Sequence, residues 1–182
     1  MKKFVVTGGS GFIGSNLVKF LLSKNHFVIN IDKLSYSANP YNLKKISKFK
    51  NYRFFKQDIN NQRQIYKIFK KYKPNGVFNL AAETHVDRSI DDPKNFINSN
   101  ILGVYSLLEV LKKYVKKNKK KITFVHISTD EVYGDIKTGK RSDEKSSYNP
   151  SSPYSASKAS SDHLIKSFVR TYNLPAVISN CC

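Results

Sequence analysis

The feature that most constrains the fold is a run of glycines between two segments of different periodicity. Residues 3–7 form a short apolar run typical of a buried strand, and residues 12–23 repeat apolar positions at helical spacing. The segment TGGSGFIG at 7–14 places glycines at positions 8, 9, 11 and 14. This spacing fits both G-x-G-x-x-G and G-x-x-G-x-x-G, turns that let a helix N-terminus approach a pyrophosphate. The chain is therefore predicted to begin with the first strand and helix of a dinucleotide-binding domain.

Strand and helix patterns then alternate to the end of the chain. Further strands are predicted at 27–31, 53–56, 76–80, 122–127 and 176–179, and further helices at 62–72, 93–117 and 154–172, with a long loop at 134–153. Such alternation implies right-handed crossovers between parallel strands, with helices on both faces. The predicted fold class is α/β, a Rossmann-type doubly wound parallel sheet. In its first helix, the apolar residues predicted to share the buried side are Phe12, Ile13, Leu17, Phe20 and Leu21.

The sheet is expected to be truncated after about its sixth strand. Residues 176–179 read as a strand reaching its carboxyl edge, where ligands bind in such sheets, and no helix follows. We therefore expect residues 1–182 to be an NAD-binding Rossmann domain that carries the catalytic residues. A C-terminal substrate domain is then absent from this chain.

The chain is strongly basic, with 32 Lys plus Arg against 13 Asp plus Glu and a formal net charge of +19. Such a charge attracts polyanions, so nucleic-acid binding is a hypothesis to weigh. Arginine, the side chain that usually reads bases and phosphates, is rare here, and the dense lysine cluster at 112–121 falls where a helix should end. We therefore favour a solvated basic surface, with no nucleic-acid partner.

Composition also bears on the compartment. No apolar run approaches the roughly 20 residues of a membrane span, and no signal peptide is recognisable. The adjacent Cys181 and Cys182 build neither a disulfide framework nor a metal site by themselves. We expect a cytoplasmic protein with no membrane partner and no metal.

Residues at the predicted strand ends suit a dinucleotide. Asp32 ends the second strand, 18 residues after Gly14, where a carboxylate accepts hydrogen bonds from ribose hydroxyls and repels a 2′-phosphate. It favours NAD over NADP, although Asp is also a common cap or turn former. Asp58 follows the third strand, and the small residues of segment 80–82 end the fourth, where a cofactor could lie against the backbone.

Two segments after the fifth strand carry the most specific chemistry. The sequence STDEVYG at 128–134 leaves that strand, and YSASK at 154–158 opens the next helix. Tyr154 and Lys158 share one helical face, where the ammonium and a cationic nicotinamide would lower the tyrosine pKa toward working pH. Tyr154 is then a credible base for an alcohol proton, with Thr129 holding the same oxygen. His126, within the fifth strand, is interpreted as a satisfied core histidine.

The glycine segment together with Tyr154 and Lys158 resembles the extended short-chain dehydrogenase/reductase family. The segments AAETHVDRSI at 81–90, STDEVYG at 128–134 and SPYSASKASSDH at 152–163 resemble its nucleotide-sugar 4,6-dehydratases. The resemblance covers all 182 residues, about the N-terminal half of a family member.

The resemblance assigns roles residue by residue. The catalytic residues it implies are Thr129, Asp130, Glu131, Tyr154 and Lys158. The NAD contacts it implies are Gly8, Gly11, Phe12, Ile13, Gly14, Asp32, Lys33, Leu34, Ser35, Asp58, Ile59, Leu80, Ala81, Ala82, Ser99, Tyr154 and Lys158. Thr84 and Thr129 would contact the substrate, and Asn100 would brace the active-site loop.

The implied chemistry is a redox-neutral dehydration of dTDP-glucose. NAD⁺ takes a hydride from carbon 4, with Tyr154 as base and Lys158 and Thr129 in support. The 4-ketone acidifies the proton on carbon 5, which Glu131 removes while Asp130 protonates the hydroxyl that leaves carbon 6. Hydride then returns to carbon 6, giving a 4-keto-6-deoxy sugar.

Other functions stay open at this point. A sugar-nucleotide 4-epimerase, a decarboxylase or a different 4,6-dehydratase would share the glycine segment and the Tyr154/Lys158 pair. An epimerase, however, has no need of the adjacent acids Asp130 and Glu131. In a different class, the chain could be a non-catalytic dinucleotide-binding fragment. The resemblance also implies a homodimer at full length and leaves nucleotide selectivity to the missing half.

Overall fold

The computed structural model describes residues 1–119, 122–136 and 138–181. Its strands are β1 (Lys3–Thr7), β2 (Phe27–Asp32), β3 (Tyr52–Lys56), β4 (Gly76–Asn79), β5 (Thr123–Thr129) and β6 (Ala176–Cys181). They pair in parallel in the order β3-β2-β1-β4-β5-β6. The order reverses between β1 and β4, which confirms the predicted doubly wound sheet.

Helices cover both faces of the sheet. They are α1 (Phe12–Ser23), α2 (Gln62–Tyr72), α3 (Val86–Asp91), α4 (Lys94–Phe96), α5 (Gly103–Asn118) and α6 (Pro153–Tyr172), with 3-10 helices at Pro40–Ile46 and Asp130–Tyr133. A π-helical segment, Ile97–Leu102, joins α4 to α5. This continuous rod matches the helix predicted at 93–117. The prediction missed α3, because six residues are too few to establish a helical period.

Strand ends differ from the prediction by one or two residues. The fifth strand continues through Ser128 to Thr129 because these residues pair with Asn180 and Cys181 of β6. Their polar side chains end the apolar pattern before the backbone pairing ends. Thr129 is therefore the last residue of a strand, directly before the 3-10 helix that carries Asp130 and Glu131.

Alternating side chains place apolar residues on both faces of the sheet. On one face, Val5 and Ile29 join a large buried cluster with residues of α2, α5 and α6. On the other, Val6 and Val28 pack with Val18 and neighbouring residues of α1. The central strands are therefore covered on both sides.

The predicted buried side of α1 is partly wrong. The helix buries Gly14, Ser15, Val18, Leu21 and Leu22. Of the predicted set, Phe12 is 82% exposed, and Ile13 and Phe20 are also exposed. The apolar residues near the start of α1 suggested the wrong side, because the helix packs on small residues there, which lets it lie close to the sheet.

That close approach depends on two glycines. A Cβ on Gly14 would collide with the carbonyl oxygen of Gly8, which is backbone and cannot move aside. Gly8 has a φ of +68°, and a Cβ there would lie 2.7 Å from the backbone of Leu80. The turn between β1 and α1 therefore accepts no side chain at either position.

The basic surface includes lysines that pack on the protein itself. At the end of α5, Lys112 pairs with Glu109 and lies 4.6 Å from the ring centre of Tyr172. Lys113 lies 5.0 Å from the ring centre of Tyr66. Residues 120 and 121 of the predicted cluster, and Cys182, lie outside the described residues. Among the described helices, none is long and apolar enough to cross a membrane.

Gly14→Ala is expected to lower the free energy of unfolding by about 2 kcal/mol or more, because the added Cβ meets rigid backbone. Gly11→Ala is the matched control, since its Cβ would lie 3.4 Å from the Gly8 oxygen and its φ of −74° suits alanine. Urea denaturation measures both variants. Equal losses would show that α1 does not depend on this contact.

Candidate active site

A cleft of about 590 Å³ opens at the carboxyl ends of the strands. All but three of the predicted site residues line the cleft. Those that line it are Gly8, Gly11, Phe12, Ile13, Gly14, Asp32, Lys33, Ser35, Asp58, Ile59, Leu80, Ala81, Ala82, Thr84, Ser99, Thr129, Tyr154 and Lys158. The structure therefore brings together residues from every strand between β1 and β5. Their roles as cofactor and substrate contacts remain predictions.

Three predicted residues do not line the cleft. Leu34 has a φ of +60° and points its backbone N–H at the Asp32 carboxylate, 2.8 Å away, so it shapes the loop beside the cleft. Asp130 and Glu131 lie on the exposed 3-10 helix that follows Thr129. Both residues directly follow Thr129, the last residue of β5.

The cleft also contains residues that the sequence analysis did not single out. They are Ile31, Ser37, Ala38, Gln57, His85, Ile127, Ser128 and Cys181. Several lie at or next to a strand's carboxyl end, where the rule for doubly wound sheets would have pointed to them. Ser37 and Ala38 lie in a loop without any sequence signal.

The glycine turn fits the phosphates of a dinucleotide. Gly11 caps α1 with no side-chain hydrogen bond, whereas Asn61 and Ser152 cap α2 and α6 with theirs. The first N–H groups of α1 therefore have no side-chain acceptor, and these groups attract anions. A side chain on Gly8 or Gly14 would clash with the surrounding backbone. The turn therefore presents backbone N–H donors to the cleft, with no side chain at Gly8 or Gly14 to block a ligand.

Asp32 is 7% exposed at the end of β2. Its carboxylate accepts hydrogen bonds from the backbone N–H of Ser10 at 2.9 Å and of Leu34 at 2.8 Å. These two bonds fix the carboxylate between the glycine turn and the next loop, on the wall of the cleft. A ribose that lies against this wall meets an acceptor held in place.

Lys33 is engaged by two side chains of the protein. Its Nζ donates to the Ser99 hydroxyl at 2.8 Å and pairs with Glu83 Oε1 at 3.1 Å. Glu83 is itself buried, with its backbone held by Asn100 through two bonds of 2.9 Å. Asn100 also donates to Ser157 at 2.8 Å, which fits the predicted bracing role.

Tyr154 lies in the first turn of α6, where local sequence fixes the helix start. Ser152 and Ser155 form a reciprocal capping box, and Pro153 occupies the first turn. The Tyr154 backbone N–H donates to the Ser89 hydroxyl at 3.0 Å. The ring is thereby held at the cleft, with 7% of the residue exposed.

Burial raises the pKa of Tyr154 above its ordinary value. A hydrogen bond with the Thr129 side chain opposes this rise, and the carboxylates of Glu131 and Asp130 add to it. The lowering of the tyrosine pKa by Lys158 together with a cationic nicotinamide stays a prediction. The loss of solvation raises the pKa of the phenol by more than the hydrogen bond from Thr129 lowers it.

Lys158 is 3% exposed and follows Tyr154 by one helical turn. Its ammonium donates to the carbonyl oxygen of Ile127 at 2.6 Å. Burial lowers the pKa of Lys158 to about 8, although the Asp162 carboxylate opposes the shift. The lysine can therefore change its charge within one to two pH units of neutrality.

The adjacent acids Asp130 and Glu131 have different surroundings. Burial and the neighbouring Asp130 carboxylate raise the pKa of Glu131. The Glu131 backbone N–H lies 3.3 Å from the Thr129 hydroxyl, and Asp130 Oδ1 lies 3.4 Å from it. Two carboxyl groups therefore follow one strand end, close enough to affect the pKa of Tyr154, and such a set can supply both a base and an acid.

Among the described residues, no group of three His, Cys, Asp or Glu side chains is placed to hold a metal ion. The polar groups that β5 and α6 contribute to the cleft include Thr129, Tyr154 and Lys158. Hydroxyl and ammonium groups of this kind suit proton transfer at an alcohol or ketone.

The sequence is similar to known dehydratases. The sequence model of the GDP-mannose 4,6-dehydratase family matches residues 5–182. A dTDP-glucose 4,6-dehydratase from Haemophilus influenzae is 50% identical over 186 residues, which cover 99% of this chain and 55% of that relative. The chain spans about half the length of the curated relatives it matches.

Solved structures match over the same extent. The dTDP-glucose 4,6-dehydratase of Bacillus anthracis in complex with NAD has a TM-score of 0.88 at 38% identity, covering 100% of this chain and 55% of that one. The UDP-glucose 4-epimerase of Thermus thermophilus in complex with NAD has a TM-score of 0.86 at 31% identity, covering 98% and 54%. The fold is thus shared by proteins with both activities.

The lowered pKa of Lys158 predicts a pH-dependent stability difference. A buried lysine whose pKa falls from 10.5 to about 8 destabilises the folded chain below pH 8, and this loss disappears above pH 10.5. The stability of Lys158→Met relative to the parent should therefore fall by about 3 kcal/mol between pH 7.5 and 10.5. Urea denaturation at each pH gives the difference.

The exposed Lys19 of α1 supplies the control. The difference between Lys19→Met and the parent should stay constant over the same pH range. A Lys158→Met difference that is equally flat would show that the lysine keeps its ordinary pKa in the folded chain.

Proposed function

The chain belongs to the GDP-mannose 4,6-dehydratase family, and we propose that it is the NAD-binding and catalytic half of a dTDP-glucose 4,6-dehydratase. The observation that carries the proposal is the placement of Asp130 and Glu131 directly after Thr129, at the strand end beside Tyr154. Oxidation needs the tyrosine, and elimination needs the acids. One strand end supplies both.

NAD is the proposed cofactor, and bound NAD⁺ would supply a hydride acceptor for carbon 4 and a donor for carbon 6. The glycine turn and the uncapped start of α1 would hold its pyrophosphate, and Asp32 its adenosine ribose. The carboxylate would repel a 2′-phosphate, and Lys33 is engaged with Glu83 and Ser99. These features support NAD rather than NADP.

Tyr154 and Thr129 would act on the hydroxyl of carbon 4. Thr129 lies at the end of β5 and hydrogen-bonds with Tyr154, so both can reach one substrate oxygen. Because burial raises the tyrosine pKa, the proton leaves Tyr154 readily only when positive charge is close. Lys158, one turn away, supplies part of that charge, and Thr84 lines the same cleft as a substrate contact.

The acid pair would carry out the elimination. Glu131 removes the proton of carbon 5, which the adjacent ketone has acidified, and Asp130 protonates the hydroxyl that leaves carbon 6. The raised pKa of Glu131 brings it closer to a working pH near neutrality, as a general base requires. The reaction is then that of a hydro-lyase, with water as the product released.

This assignment distinguishes a dehydratase from an epimerase. An epimerase oxidises and reduces carbon 4 and needs no second acid or base for elimination. In this chain, two of only 13 acidic residues stand side by side after Thr129. Their position at the catalytic strand end supports the dehydratase over the epimerase.

The proposal includes a larger assembly. The relatives are about twice as long as this chain, so we propose that a C-terminal domain completes the sugar-nucleotide site and sets nucleotide selectivity. The whole protein would act as a homodimer in the cytoplasm, and the free thiol of Cys181 at the cleft suits a reducing compartment. The isolated half is expected to turn over little substrate.

Glu131→Gln in the full-length gene product is expected to lower kcat for dTDP-glucose by about 100-fold or more, because the amide removes no proton. The alkaline absorbance of the 4-keto-6-deoxy product measures turnover in the presence of NAD⁺. Glu144→Gln, in the exposed loop before α6, makes the same chemical change and should keep parental turnover.

Two results would contradict the proposal. One is parental turnover by Glu131→Gln, which would remove the base from the mechanism. The other is a parent that leaves dTDP-glucose unchanged but epimerises UDP-glucose at carbon 4.

A further inference from the structure

Behind the cleft, a chain of buried polar groups runs across the sheet from β1 to β5. The Thr7 hydroxyl donates to Asn79 Oδ1 at 2.5 Å, and Asn79 Nδ2 lies 2.9 Å from His126 Nδ1. All three side chains are at most 1% exposed. Because the amide nitrogen donates, Nδ1 accepts, and the neutral imidazole carries its proton on Nε2.

The Nε2 side of His126 meets α6. It lies 3.3 Å from Lys158 Nζ, 3.3 Å from the Ser161 hydroxyl and 3.6 Å from Asp162 Oδ1. Ser161 donates its own proton to the Lys158 carbonyl oxygen at 2.8 Å. The acceptors that face the Nε2 proton are therefore the Ser161 oxygen and the Asp162 carboxylate.

Asp162 is fully buried, and its two oxygens have different surroundings. Oδ2 accepts from the Ser128 hydroxyl at 2.7 Å and from the Tyr148 hydroxyl at 3.0 Å. Oδ1 has no hydrogen-bond partner within the described residues and faces His126. Both hydroxyls that contact Oδ2 donate to it, which suits an ionised carboxylate.

A buried charge of this kind needs an opposite charge nearby. The ammonium of Lys158 approaches the same Nε2 edge of the imidazole and donates to the Ile127 carbonyl oxygen. Asp130 and Glu131 stand on the exposed 3-10 helix and act on Tyr154 from there. Asp162 is therefore the acid that shares the interior with Lys158.

We propose that Asp162, which lies with Lys158 at the Nε2 edge of the neutral imidazole of His126, is the buried counter-charge that keeps Lys158 protonated and fixed at the Ile127 carbonyl. His126 and Asp162 are then positioning residues for Lys158. Their importance for catalysis rests on the proposed function, whereas their effect on the charge of Lys158 does not.

Burial disfavours both buried charges, and Asp162 and Lys158 each oppose the effect of burial on the pKa of the other. Burial lowers the pKa of His126 well below its ordinary value, with Lys158 adding to the effect, so the ring stays neutral. Burial raises the pKa of Asp162, opposed by Ser128, Lys158 and Tyr148. The other titratable groups that interact with this cluster are Cys181, Tyr133, Tyr148 and Lys166.

The charge of Lys158 can be followed directly by NMR of the full-length gene product labelled with ¹³C at the lysine ε-carbon. One resonance, absent from Lys158→Arg, should titrate near pH 8. In Asp162→Asn its midpoint should fall by about one pH unit or more, because an opposite charge has been removed. Asp143→Asn, in the exposed loop before α6, is the matched control and should leave the midpoint unchanged.

An unchanged midpoint in Asp162→Asn would overturn the proposal. The unmutated protein provides a second measurement that does not depend on folding of a variant. In ¹⁵N-histidine spectra, the resonances absent from His126→Gln should show a neutral ring protonated on Nε2 from pH 6 to 8. A charged ring, or a ring protonated on Nδ1, would equally overturn the proposal.

Activity separates this inference from the proposed function. If the dehydratase proposal holds, the alkaline fall of kcat/KM should move to lower pH in Asp162→Asn together with the lysine midpoint. A protein without dehydratase activity that still shows the midpoint shift would contradict the proposed function and support the counter-charge.

Discussion

The close approach of α1 to the ends of β1 and β4 is the constraint on which the cleft depends. Gly14 lies against the Gly8 carbonyl, and Gly8 lies against the backbone of Leu80. No side chain fits between these segments, so the floor of the cleft is backbone from two neighbouring strands. Asp32 is tied to the same turn through Ser10. The dinucleotide site is therefore a consequence of how tightly the first helix packs.

The other half of the cleft is built on buried polar groups rather than on close packing. Lys158 and Asp162 of α6 and His126 of β5 are at most 3% exposed, beside an apolar core formed by strands and helices. Buried charges of this kind generally stabilise a fold less than apolar residues of the same volume do. Their presence behind Tyr154 is easier to understand as a means of holding one ammonium in place. The lower stability that these buried charges bring is then the cost of a charged Lys158 beside Tyr154.

Much of this arrangement could be predicted from the sequence because it is local. The glycine turn, Asp32 at a strand end and the i, i+4 pair Tyr154/Lys158 each depend on short spacing and on the strand–helix order. The buried side of α1 could be predicted only in part: Leu21 is buried as expected, but the start of the helix packs on Gly14 and Ser15 and leaves Phe12 exposed. The raised pKa of Tyr154 and the His126–Asp162 contact depend on residues distant in sequence that only the folded sheet brings together.

We propose that residues at one strand end promote oxidation of carbon 4 of a sugar nucleotide and then elimination of water across carbons 5 and 6. The most direct test supplies the full-length gene product with dTDP-glucose carrying deuterium on carbon 4 and locates the label in the product by NMR. The account predicts deuterium on carbon 6 of a 4-keto-6-deoxy sugar. Deuterium retained on carbon 4, or lost to water, would contradict it.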